Sequence, residues 1–194
     1  MSHADNDHSG GAAAIVAVFP GIDVLKGPDV DALRGRPCVA GDEWEWDGVR
    51  FRILHPRADF AARGNDSSCV LKVETDLSAL LVTGDIERLG ETALPQTSLP
   101  ADVVVVPHHG SATSSSPPFV AAVGARLAIV SAAHANRWGF PRAEVRERWE
   151  SGGATVVVTG DSGAVTVELA PDGVGVSTQR ELRHRYWHAP PFLW

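Results

Sequence analysis

The chain begins Met1-Ser2-His3-Ala4-Asp5-Asn6-Asp7-His8-Ser9-Gly10-Gly11. Two histidines and two aspartates fall within six positions, and a turn of small residues follows at once. Neutral imidazole and carboxylate are the side chains that bind divalent metals. On a tight loop, His3 and Asp5 can point one way while Asp7 and His8 point to a neighbouring position. That arrangement suits a two-metal site, which activates water and clamps both oxygens of a displacement. The alternative is a frayed polar terminus or the remnant of a tag. The residues further along the chain tell against it.

Working outward, Ser9 to Val18 is small and apolar and predicts a short buried helix leaving the motif. Gly21 to Gly41 is rich in turn residues, with one brief helix expected around Asp29–Arg34. Glu43–Trp46 and Val49–Leu54 alternate in polarity on either side of Asp47-Gly48, which predicts a hairpin. Strands are expected at Cys69–Glu74, Ala79–Val82, Ala101–Val106, Leu127–Ser131, Thr155–Val158 and Ala164–Leu169. Helices are expected at Glu87–Leu94, Phe119–Val123 and Pro141–Ser151. Strands and helices in this order imply a layered α/β fold. Polar residues sit where apolar strands end: Asp85 after Leu80-Leu81-Val82-Thr83-Gly84, and His108-His109 after the run to Val106. Rigid strands position such residues for function. Asp85 could bridge two cations, and the histidine pair supplies one or two imidazoles.

Length and composition bound the class. With 194 residues, one domain with a real core is the default. A formal charge of −7 argues against a protein that coats nucleic acid non-specifically, though not against a local basic groove. Cys38 and Cys69 are the two cysteines, too few for a disulfide framework, and two buried free thiols are expected over a pair. No apolar run approaches the ~18 residues needed to span a bilayer, so the chain as given is expected to be soluble, with no membrane insertion of its own.

Taken together, these pieces resemble a known family. The opening run is similar to the metallo-β-lactamase signature His-x-His-x-Asp-His, with Asp5 in place of the second histidine. More narrowly, the chain resembles the C-terminal metallo-β-lactamase-like domain of ComEC, the DNA-internalisation channel of natural competence. The matching pieces are Asn65-Asp66-Ser67-Ser68-Cys69-Val70-Leu71, Leu80 to Glu87, Val106-Pro107-His108-His109-Gly110-Ser111 and Asn136-Arg137-Trp138-Gly139-Phe140-Pro141, in the expected order. The resemblance implies an αββα sandwich with metals held between its two sheets. It implies that His3 and Asp5 bind one metal, that Asp7 and His8 bind the other, and that Asp85 bridges them. His108 or His109 supplies the late histidine, with His109 the better fit because it directly precedes glycine. Asn65 stands where many members carry a histidine ahead of the central strand. Asn65, Asn136 and Arg137 are therefore further candidates for metal or substrate. With Asp5 and Asn65 replacing imidazoles the site is rich in oxygen, which shifts preference from zinc toward manganese, with magnesium a further candidate.

The function so implied is a two-metal phosphodiesterase, a nuclease degrading one DNA strand while its partner is imported. Asp7 and Asp85 would be its catalytic carboxylates. The alternatives are a stand-alone metallo-hydrolase of a small ester or lactone, and an inactive remnant. The strands that precede the metal motif in the superfamily have no counterpart here. The chain is therefore expected to be a fragment lacking its first strands: a partial hydrolase domain over 1–170 and a strand or tail extension over 171–194. Poor solubility and weak or absent nuclease activity are expected of it in isolation. The parent is expected in the inner membrane, with its channel portion as partner and this domain in the periplasm.

Three other features carry ordinary readings. Thr159-Gly160-Asp161-Ser162-Gly163 looks like a protease nucleophile turn but reads as hairpin chemistry. His55 reads as a loop histidine and His134 as a neighbour of the Asn136-Arg137 loop. Arg180, Arg183 and Arg185 beside Tyr186 and Trp187 could bind single-stranded nucleic acid, although a solvated strand is the plainer reading.

Overall fold

Asp47 and Gly48 take the left-handed φ angles, 50° and 77°, that a tight two-residue turn requires. The hairpin they close is the edge of the main sheet in a computed structural model that describes residues 1–31, 33–61, 63–170, 173–183 and 185. The chain first forms two short helices, α1 (Asn6–Ser9) and α2 (Ala12–Val18), and two short strands, β1 (Leu25–Lys26) and β2 (Arg36–Pro37). The hairpin strands are β3 (Glu43–Trp46) and β4 (Val49–His55). Then come β5 (Val70–Glu74), β6 (Ala79–Val82), α3 (Arg88–Ala93), β7 (Val103–Val105), α4 (Pro117–Val123) and β8 (Leu127–Val130). The remainder is α5 (Ala143–Ser151), β9 (Thr155–Val158), α6 (Thr159–Ser162), β10 (Val165–Ala170), β11 (Gly173–Thr178) and α7 (Gln179–Leu182).

Strands β3 to β9 make one seven-stranded sheet in sequence order. Pairing is antiparallel from β3 to β6 and parallel from β6 to β9. Parallel neighbours need a crossover, and α3, α4 and α5 occupy the three crossovers. The strands alternate their burial accordingly. Leu81, Val104, Ala128 and Val130 face a core with Phe119, Val123, Val145 and Trp149 of the helices. Val103, Leu127 and Ile129 face the other way, against Val165, Val167, Leu169 and Val174 of the antiparallel pair β10–β11. Helices, main sheet and a second small sheet are therefore stacked, three consecutive layers of the αββα order that was expected.

Several local expectations need correction. The Ser9–Val18 helix is two pieces, and no residue of α2 is buried. Apolar composition announces a face to be covered but not what covers it. Residues Asp29–Arg34 form no helix among the described residues. The Asp29 carboxylate accepts the Gly64 N–H, and Lys26 Nζ donates to the Val30 carbonyl, so the local polar groups are already committed. The protease-like turn at 159–162 is the short helix α6 rather than hairpin chemistry. Cys38 and Cys69 are not free thiols but a disulfide. β2 leads Cys38 to the start of β5, with Cα atoms 6.1 Å apart, within bonding reach.

The expected boundary at 170/171 falls between the paired strands β10 and β11. In the basic tail, Arg180 donates to the Asp161 carbonyl, while Tyr186 and Trp187 lie outside the described residues. Among the described residues, no helix is long and apolar enough to cross a membrane.

Candidate metal centre

The first eight residues are held in the molecule by hydrogen bonds far along the chain. Cys69 N–H donates to the Ser2 carbonyl and Gly27 N–H to the Met1 carbonyl. Gly27 permits the approach, since a Cβ there would stand 2.1 Å from the Ser2 carbonyl oxygen. So fixed, the loop presents its histidines to two residues from the ends of β6 and β7. Asp85 follows β6 after Thr83-Gly84, and His109 follows β7 after Val106-Pro107-His108.

Asp85 lies at the centre. One of its oxygens is 3.2 Å from His8 Nε2, and the other is 3.4 Å from His109 Nε2 and 4.0 Å from His3 Nε2. His8 Nε2 and His109 Nε2 are 3.4 Å apart, and Asp7 Oδ2 is 3.1 Å from the second and 3.7 Å from the first. Asp5 reaches His3 Nε2 at 3.6 Å from the exposed side. The ligand atoms thus fall into two groups that share His8: His3, His8 and Asp85, and Asp7, His8 and His109.

A divalent cation fits this donor set. His3 Nε2 is buried and has no hydrogen-bond partner, an arrangement that costs stability unless something accepts its lone pair. Three atoms about 3.4 Å apart also surround a point about 2 Å from each, the length of a bond from nitrogen or oxygen to zinc or magnesium. The remaining imidazole nitrogens are oriented by fixed oxygens. Ser2 Oγ lies 3.0 Å from His8 Nδ1 and 3.1 Å from His3 Nδ1, and Ser68 Oγ lies 3.2 Å from His3 Nδ1. Ser68 Oγ also accepts the Asp85 N–H, and His109 Nδ1 donates to the Ser131 carbonyl at 2.7 Å. With Nδ1 donating, Nε2 of His109 faces the cluster. Such outer contacts set ring orientation in metal sites.

The charges respond to one another. Hydrogen bonding to Asp85 raises His8 and lifts His109 to about 9. Burial alone would raise Asp85, but the hydrogen bonds from His109 and His8 outweigh it and hold its carboxyl below the ordinary range. Burial lowers His3 despite its acidic neighbours. A carboxylate kept ionised among imidazoles is a field suited to a cation.

The other sequence candidates lie near the cluster but are differently engaged. His108, counted with His109 among the metal residues, directs Nδ1 to Glu87 at 3.0 Å. Asn65 Nδ2 donates to that same Glu87 oxygen at 3.2 Å, and Thr113 Oγ1 donates to it at 2.9 Å. Asn136 spends its amide on the Ala133 and Phe140 carbonyls and accepts the Phe140 N–H. Arg137 is exposed and lines the cleft beside the cluster. Reading the sequence did not single out Ser2, Ser68, Ser131 or Glu87 for their roles. The two serines that flank the motifs, in Ser2-His3 and Ser68-Cys69, were the only available signal.

No family model matches the sequence. Curated relatives do. It is 34% identical over 192 residues to the uncharacterized protein YcaI of Escherichia coli K12, covering 97% of this chain and 25% of that protein. It is 33% identical over 195 residues to Recombination protein 2 of Haemophilus influenzae, covering 97% and 24%. It is 37% identical over 195 residues to Competence protein ComA of Neisseria gonorrhoeae, covering 99% and 28%. The chain spans about a quarter of the length of these relatives. Among solved structures, one described as a metal-dependent hydrolase from Parabacteroides distasonis shares the fold, with a TM-score of 0.53 at 13% identity over 81% of this chain and 73% of that one. Over nearly its whole length this chain is therefore homologous to one segment of these longer proteins, on a fold it shares with that solved structure.

Proposed function

We propose that this chain is the metal-dependent phosphodiesterase unit of a DNA-uptake protein, cutting one strand of DNA during transformation. The observation that carries the reading is Asp85, whose two oxygens face both groups of ligand atoms from one rigid strand end. His3, Asp5, Asp7, His8, Asp85 and His109 would hold two divalent cations, which when bound lower the pKa of water and stabilise charge on the phosphorus oxygens. Three aspartates among the six favour manganese over zinc, with magnesium next. Asp7, 65% exposed and facing the cleft, orients the attacking water and accepts its proton. Ser2, Ser68 and the Ser131 carbonyl keep the imidazoles from turning away.

The relatives named for recombination and competence support DNA as substrate and a membrane channel as partner. The Cys38–Cys69 disulfide supports an oxidising compartment, in keeping with the periplasmic face of an inner-membrane protein. A small ester or lactone calls for a mostly apolar pocket. The cleft here carries Asp5, Asp7, Asp85 and Arg137 in its lining, which favours a charged substrate.

The test pairs binding with cleavage. Purified chain should quench the electron-paramagnetic-resonance signal of free Mn²⁺ and cut end-labelled DNA slowly in manganese. Asp85→Asn should lose both by about 100-fold or more. Failure of the wild-type chain to bind manganese, or cleavage indifferent to Asp85→Asn, overturns the reading. Full activity in zinc alone with none in manganese overturns the metal preference.

A further inference from the structure

A line of flat groups leads away from the cluster. The Phe140 ring stands 6.5 Å from His109 at 21° to it, and the Trp138 ring stands 6.4 Å from Phe140 at 14°. The Arg137 guanidinium lies 4.3 Å over the Trp138 ring. These three residues line the same cleft, of about 900 Å³, as Asp7, Asp85 and His109. Trp138 is 55% exposed there, whereas Trp149, which serves the core, is 1% exposed.

The platform is built rather than draped. Asn136 Nδ2 donates to the Phe140 carbonyl at 2.6 Å, its Oδ1 accepts the Phe140 N–H at 2.9 Å, and Gly139 N–H closes on the Asn136 carbonyl at 3.0 Å. Beyond Phe140, Arg142 N–H donates to the Gly110 carbonyl, and a Cβ on Gly110 would stand 2.6 Å from Pro141 Cβ. The loop bearing the aromatics is thus locked to the loop bearing His109. A rigid aromatic presented to solvent binds with little ordering cost.

We propose that Trp138, with Phe140 next to it and the Arg137 guanidinium resting over its ring, is a nucleobase-stacking subsite that seats a single strand of DNA next to the metal cluster, a base taking the guanidinium's place on the indole. A planar cation already resting on the indole marks that face as one that takes a flat partner. Stacking of bases on aromatic side chains accepts any sequence and combines with arginine contacts. That tolerance suits an enzyme that must process whatever strand arrives. The nature of the occupant rests on the phosphodiesterase reading above.

Fluorescence anisotropy of labelled oligothymidylate, in calcium and with the full chain, tests the subsite. An oligomer of the same length built from abasic residues is the control. Trp138→Ala should weaken oligothymidylate binding by about fivefold to a hundredfold, and Trp138→Phe should retain most of the affinity. The abasic oligomer should bind the wild-type chain and Trp138→Ala alike. Equal weakening for both oligomers, or none for either, overturns the proposal, and an unchanged thermal midpoint guards against misfolding of the variant. The base-dependent pattern without DNA cleavage would sink the phosphodiesterase reading and leave the subsite standing. Cleavage without that pattern would do the reverse.

Discussion

His108 and His109 have φ angles of 48° and 54°, a region that side chains other than glycine seldom adopt. This backbone sends the two rings to different partners: His109 to Asp85 and Asp7, His108 to Glu87. His109→Ala should weaken manganese binding at least tenfold, whereas His108→Ala should leave it within about twofold, as read by titration calorimetry. Ser68→Ala removes a contact to His3 and one to the Asp85 backbone, and should weaken manganese binding by about 10- to 100-fold. His55, fully buried with Nε2 2.8 Å from the Asp66 carbonyl, supplies a pH effect. Burial holds its pKa below the ordinary 6.5. Below that value the unfolded chain takes up a proton that the folded site resists, so this stability is present above pH 6.5 and lost as pH falls. Urea midpoints between pH 8 and 5 should fall less steeply in His55→Gln than in the wild-type chain. The metal-type residues were legible because their chemistry is rare and dense within one short run. Ser2 and Ser68 were not, since a hydroxyl acquires its meaning only from what tertiary structure brings beside it.

At the level of elements, periodicity carried the strands. The hairpin β3–β4 and the strands β5 to β9 were legible because alternation and β-branched runs report burial directly. The segment from 20 to 41 was not. Its shape is set by contacts made elsewhere: Asp29 to the Gly64 backbone, Met1 to Gly27 and Cys38 to Cys69. The disulfide closes a separation of 31 residues, for which loop entropy gives a stabilisation of about 2–4 kcal/mol. Cys38→Ser combined with Cys69→Ser, or addition of reductant, should lower unfolding stability in urea by that amount. An unchanged midpoint would show that the loop is held by its packing alone.

At the level of the whole molecule, the order of layers was legible because strands and helices alternate. The partner of α2 was not. Ile15, Val18, Phe19 and Ile22 are all about half exposed or more, in the apolar stretch that follows the metal-type loop along the chain. Surfaces of this kind drive self-association. Ile15→Glu with Val18→Glu should reduce self-association at high concentration, measured by light scattering, while leaving the thermal midpoint nearly unchanged.

The meeting of His8 with His109 joins residues 101 positions apart. Contacts so distant in the chain form late in folding, because their loop entropy must be overcome before they stabilise anything. A cation held there would bind the finished fold and not its precursors. Its occupancy therefore doubles as a gauge of completion: manganese at 100 times its dissociation constant should add about 2.7 kcal/mol to global stability.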